Sequence, residues 1–169
     1  MEFKMEKTLI QKRKVRRQLA RILMIITLMI LCVWGVSPWY ILAINSTESV
    51  RGTFFLIIKD EIPKKGELIA FWPPKNPYYQ NIWFVKYLAA TEGDVIEVNG
   101  QDFYINGEYL ATAKTHTRHG HLLQPSAGGV IPSHYYFVWT DHPDSFDSRY
   151  QHIGWIHKNE VIGRAIRLF

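Results

Sequence analysis

Twenty-three consecutive residues without a charge, Ile22 to Ile44, constrain this chain more than any other feature. As a helix rising about 1.5 Å per residue they would reach roughly 34 Å, enough to cross a hydrocarbon core of about 30 Å. The stretch therefore reads as one transmembrane helix over 22–44. Pro38 falls near its outer end, where a kink or stop is tolerated, and Trp34, Trp39 and Tyr40 would anchor that end at the interface. Residues 1–21 hold eight basic groups (Lys4, Lys7, Lys12, Arg13, Lys14, Arg16, Arg17 and Arg21) against Glu2 and Glu6, a net +6, whereas the other 148 residues carry 12 basic and 13 acidic groups. A basic tail of this kind stays in the cytoplasm and sends residues 45–169 to the far side. The near-neutral remainder argues against nucleic-acid binding, which needs a basic face on the folded part. A cleaved signal peptide is the competing reading, but its sites are poor: Gly35-Val36-Ser37 runs straight into Pro38, and bulky Ile41 stands two residues before Ala43.

Beyond the span there is room for one domain. Cys32 is the only cysteine and lies within the apolar stretch, so no intrachain disulfide and no cysteine-based metal site can form. A cysteine-free outer domain is compatible with a bacterial periplasm. That domain reads as mainly β. Thr53–Ile58, Glu67–Trp72 (stopped by Pro73-Pro74), Ile82–Ala90 and Tyr135–Trp139 are rich in β-branched and aromatic residues. Asn99-Gly100 and Asn106-Gly107 separate three short runs, which predicts a three-stranded meander. Residues 112–133, rich in Thr, His, Gly and Pro, read as an extended excursion.

Two residues with chemical potential fall outside any ordinary pattern. Lys86 is the one charge in the run Ile82–Ala90, which is apolar on both strand faces. Burial there would disfavour the ammonium and leave a neutral amine available as a general base near pH 7. A lysine in a strand more often reaches solvent with its charged end. Ser49 lies five residues past the apolar stretch, where a membrane-inserted substrate would present its backbone. Taken singly it is an ordinary linker serine.

Order and company change that. Ser49-Val50-x-Gly52, then Lys86 ahead of Gly93-Asp94, then Ser145-x-Asp147-Ser148-Arg149-Tyr150, Gly154 and Ile162-Gly163-Arg164-Ala165 resemble the boxes of the type I signal peptidase superfamily. The conjugative-transfer branch, the TraF- and TrhF-type serine peptidases of plasmid type IV secretion systems, is the most similar. The resemblance runs from the apolar span to the C-terminus except for about residues 100–134. It implies a β-rich catalytic domain behind one membrane helix, with Ser49 as nucleophile and Lys86 as its base. Ser145 would orient the amine, Asp147 and Arg149 would brace the site, and Thr47 would join the Ser49 N–H in an oxyanion hole. It implies a bacterial inner-membrane enzyme whose substrate is a membrane-inserted precursor such as a pilin, with type IV secretion components as possible partners and no cofactor. The departures are local: no proline follows Ser49 in Val50-Arg51-Gly52, Glu92 precedes Gly93-Asp94, and Tyr87 follows Lys86. They point away from the housekeeping enzyme.

A serine made nucleophilic by a desolvated lysine needs no histidine. The acyl-enzyme can then be resolved by water or by an amine, so hydrolysis and peptide cyclisation both stay open. A non-catalytic periplasmic component of a secretion assembly is the alternative from another class. His116, His119 and His121 lie within six residues, yet no Cys and no carboxylate joins them, so they read as loop residues and no metal is expected. A triad of His142 with Asp141 or Asp144 is formally available but ranks below the lysine.

Overall fold

The structure, a computed structural model, describes residues 2–169, with side chains from residue 13 onward. Of the expected basic tail, the side chains of Lys4, Lys7 and Lys12 therefore lie outside the described residues. The chain divides into two units, one up to Trp39 and one from Tyr40 to Phe169.

The first unit is a single helix, α1 (Glu2–Val36). Its segment Arg13–Val36 is long and apolar enough to cross a membrane. The helix ends eight residues before the expected limit at Ile44, and the cause is local. The Ser37 N–H closes the last turn on Val33 O at 3.0 Å. Pro38 has no N–H to continue with and disfavours helical geometry at Ser37. The final five residues of the apolar stretch form strand β1 (Tyr40–Ile44) instead. Aromatic and β-branched residues suit that role, and β2 (Phe54–Lys59) supplies partners in register from Tyr40↔Ile58 to Ile44↔Phe54. A continuous apolar run does not distinguish helix from buried strand, and here it is both in succession.

The second unit is mainly β. After β1 and β2 come β3 (Leu68–Phe71), β4 (Phe84–Ala90), β5 (Val95–Asn99), β6 (Asp102–Ile105), β7 (Glu108–Thr112), β8 (Gly129–Val130), β9 (Tyr135–Trp139), β10 (Ile156–His157) and β11 (Val161–Arg167). Seven strands pair antiparallel in the order β1-β2-β11-β3-β4-β9-β10, and four more in the order β7-β6-β5-β8. The meander β5-β6-β7 occurs where the Asn-Gly pairs predict it. Asn106 and Gly107 both take positive φ, 52° and 82°, as a type I′ turn demands. The excursion after β7 is less free than its composition suggests: it contributes β8 and pairs His116 with Leu122 and Pro125 with Tyr150.

Side chains of both sheets meet in one core, where Ala90, Ile96, Phe103, Phe137 and Tyr150 are buried together. A second cluster, with Phe55, Ile57, Leu68, Ala70 and Ala165, lies under the β2-β11-β3 part of the large sheet. Close approach at one glycine holds that part together. A Cβ on Gly163 would stand 1.9 Å from the Ile58 carbonyl oxygen, so β11 can lie against β2 only if residue 163 has no side chain.

Candidate active site

Lys86 occupies the third position of β4, on the same face as Leu88 and Ala90, which are fully buried. Strand alternation sends all three side chains to one side. Strand β9 pairs with β4 only from Tyr87 onward, through Tyr87↔Trp139. The chain therefore leaves the sheet beside Lys86, and residues 140–150 fold over the end of its side chain. Lys86 is left 4% exposed.

Two hydroxyls reach the amine. Lys86 Nζ lies 2.9 Å from Ser145 Oγ and 2.9 Å from Ser49 Oγ. Ser145 is buried, its N–H bonded to His142 O at 3.0 Å in the turn that follows β9. The Phe84 ring lies 5.6 Å from Nζ and adds an apolar wall. Burial pushes the Lys86 amine down to about 8; the nearby Asp147 carboxylate opposes that fall and Arg149 reinforces it.

Asp147 and Arg149 form a fork-to-fork pair within this segment, with Arg149 Nε donating to Oδ1 at 2.8 Å and Nη2 to Oδ2 at 2.9 Å. Both are buried. Arg149 also donates to Thr140 O and Thr112 O, so the guanidinium ties the segment to β7. The carboxylate is thereby held in place with its charge balanced, which limits how far it can raise the lysine.

Ser49 sits on the loop between β1 and β2, residues 45–53, closed by Asn45 N–H to Thr53 O at 2.8 Å. Val50, 4% exposed, packs in the second core cluster and fixes the loop beside Ser49. Thr47 Oγ1 is 3.1 Å from Ser49 Oγ and 3.2 Å from Asn45 Oδ1. The Asn45 amide further donates to Val50 O at 2.8 Å and Gly52 O at 2.9 Å.

The six residues singled out from sequence, Ser49, Lys86, Thr47, Ser145, Asp147 and Arg149, thus lie at one place. His142 lines the same cleft as Ser49 but is not bonded to the nucleophile: among the described residues Ser49 hydrogen-bonds only Thr47 and Lys86, and His142 Nδ1 accepts from the Asp144 N–H. The Asp144 carboxylate, in the same cleft, is engaged by Lys114 at 2.5 Å and Arg118 at 2.7 Å, whose hydrogen bonds hold it down to about 2. Among the described residues no three His, Cys, Asp or Glu side chains group so as to hold a metal ion. His116, His119 and His121 instead line a cleft of about 1100 Å³ that also contains Ser49, Lys86 and Ser145. Two features had no clear sign in the sequence. Asn45 showed only as a polar residue ending an apolar strand, and the excursion's place as a wall of the cleft depends on pairing across many residues.

This arrangement can abstract a proton from a serine hydroxyl without a histidine, at one side of a cleft of about 1100 Å³. The family model for signal peptidase, peptidase S26, matches residues 15–169. A conjugal transfer protein TraF from Agrobacterium fabrum is 25% identical over 124 residues, covering 63% of this chain and 69% of that protein. A crystal structure of a signal peptidase I from Enterococcus faecalis is similar with a TM-score of 0.42 and 25% identity, over 62% of this chain and 97% of the other.

Proposed function

Because this chain belongs to the signal peptidase family, peptidase S26, we propose that it is a membrane-anchored serine endopeptidase in which Ser49 is the nucleophile and Lys86 its general base. One observation carries the reading: a lysine amine, 4% exposed, within 2.9 Å of the Ser49 hydroxyl. The neutral amine takes the Ser49 proton as Oγ attacks the scissile carbonyl. Ser145, also 2.9 Å away, keeps the amine aimed at Ser49. The Ser49 N–H and the Thr47 hydroxyl stand ready for the oxyanion, where one donor is worth about 100- to 1,000-fold in rate. The protonated amine then returns its proton to the departing peptide nitrogen, leaving an acyl group on Ser49. Water or a peptide amine resolves it.

The similarity to a conjugal transfer protein supports a substrate from a conjugation or type IV secretion context, with a membrane-inserted pilin precursor as the specific proposal. In this reading α1 is an uncleaved inner-membrane anchor, its basic end cytoplasmic and residues 40–169 periplasmic. A reporter fused after Phe169 should be active only when exported.

Mass spectrometry of a candidate pilin, produced with the wild type, with Ser49→Ala and without the protein, tests the function. The wild type alone should shorten the precursor. Equal processing by Ser49→Ala would end the proposal, and no processing by any form on any precursor would favour a non-catalytic component. The product's mass decides its fate: a ring weighs one water less than the linear chain of the same residues.

A further inference from the structure

We propose that Asn45 is the positioning residue of the nucleophile: its side-chain amide clamps the turn carrying Ser49 and receives the far end of a hydroxyl relay that starts at Ser49. The inference rests on the Ser49–Lys86 reading and adds a residue to it.

An uncharged amide has two N–H donors and a carbonyl with two lone pairs. Asn45 uses them all. Nδ2 donates to Val50 O and Gly52 O, at 2.8 and 2.9 Å, while Oδ1 accepts from Thr47 N at 3.1 Å and from Thr47 Oγ1 at 3.2 Å. The two carbonyls lie on either side of Arg51, just past Ser49, and Thr47 lies two residues before it, so one side chain grips the turn on both sides of the nucleophile. Asn45 is itself fixed by the backbone bond to Thr53 that closes the β1-β2 hairpin. Few other anchors exist. Ser46, Thr47 and Glu48 are exposed, and Val50 is the one buried side chain of the turn.

The relay needs only an acceptor, and the clamp is what makes an amide suit this place better than another polar group. With Lys86 protonated, Nζ donates to Ser49 and Ser145, Ser49 donates to Thr47, and Thr47 donates to Asn45 Oδ1. With Lys86 neutral, Ser49 turns its proton to Nζ and Thr47 turns its own to Ser49 Oγ. Asn45 keeps its hold throughout, through the Thr47 N–H. An aspartate would keep the acceptor but set a carboxylate oxygen against two carbonyl oxygens, and an alanine would lose both halves.

Misplacement of a reacting group by about 1 Å can cost about 100-fold in rate. The test is acylation of the full-length protein by 4-nitrophenyl acetate, with nitrophenol release followed in the burst and the acetyl group located by peptide mapping. The wild type should be acetylated at Ser49. Asn45→Ala and the near-isosteric Asn45→Asp should acetylate about 10- to 100-fold more slowly at undiminished burst amplitude. A merely structural role would give the opposite pattern, a smaller amplitude with the wild-type rate constant. That pattern, or wild-type rates in both Asn45 variants, overturns the proposal. A wild type that labels no better than Ser49→Ala removes the nucleophile itself and the clamp with it.

Discussion

Replacing Lys86 with methionine should remove activity and, at the same time, change how stability depends on pH. The buried amine has fallen from its ordinary 10.5 to about 8 because burial penalises the ammonium. At about 1.4 kcal/mol per tenfold change in proton affinity, that fall corresponds to about 3 kcal/mol. The sign follows from proton counting. Between about pH 8 and 10.5 the unfolded lysine holds a proton that the folded one has lost, so wild-type stability rises across that window. Below about 8 both states are protonated and the folded protein carries the whole cost. Lys86→Met has no such group, so its stability relative to wild type should be about 3 kcal/mol more favourable at pH 7 than at pH 10.5, or roughly 6 to 12 °C in melting temperature. Methionine also leaves Ser145 Oγ, on a residue 1% exposed, without its partner, a cost of about 1–3 kcal/mol. That cost does not vary with pH and cancels from the comparison, as do the other titrating groups. Urea unfolding of both full-length proteins in detergent at the two pH values gives the number. A wild-type minus variant difference that is flat with pH would refute a depressed Lys86, and the case for it as general base would fall too.

The rate should follow the same amine: kcat/KM of the wild type should rise with pH through about 8, and Lys86→Arg should be inactive across the range, since a guanidinium does not deprotonate there. Arg149→Met leaves Asp147 buried and unpaired, so it should cost about 3–5 kcal/mol in urea unfolding. It should also move the acid limb of the pH-rate profile to higher pH, because a cation that lowers the Lys86 amine is gone while the carboxylate that raises it remains. His142→Ala should stay within about 3-fold of wild type in a processing assay, and a loss like that of Ser49→Ala would restore a histidine mechanism.

Legibility in the sequence depended on how local each signal is. The β character of residues 53–58, 67–72, 82–90 and 135–139 was plain from composition, and the meander from its Asn-Gly turns, because side-chain stiffness and turn geometry act over a few residues. Lys86 stood out as the one charge in a run apolar on both strand faces, although a strand lysine more often reaches solvent with its charged end, so its burial waited on the fold. The helix end at Val36 did not stand out: the apolar stretch continues across Pro38, and only the partner β2 shows why Tyr40–Ile44 is a strand. Asn45 and the cleft wall built by His116–His121 depend on contacts between a turn, a strand end and an excursion, which no periodicity records. Gly163 carried its meaning only once Ile58 was seen against it.

The most direct test of the dyad is to quench a reaction of wild-type protein with its precursor in acid within the first turnover and map the covalent adduct. The account predicts an acyl group on Ser49 in the wild type and none in Ser49→Ala or Lys86→Ala, with both variants folded as judged by their melting. An acyl group on another residue, or precursor turnover by Ser49→Ala at the wild-type rate, would contradict it.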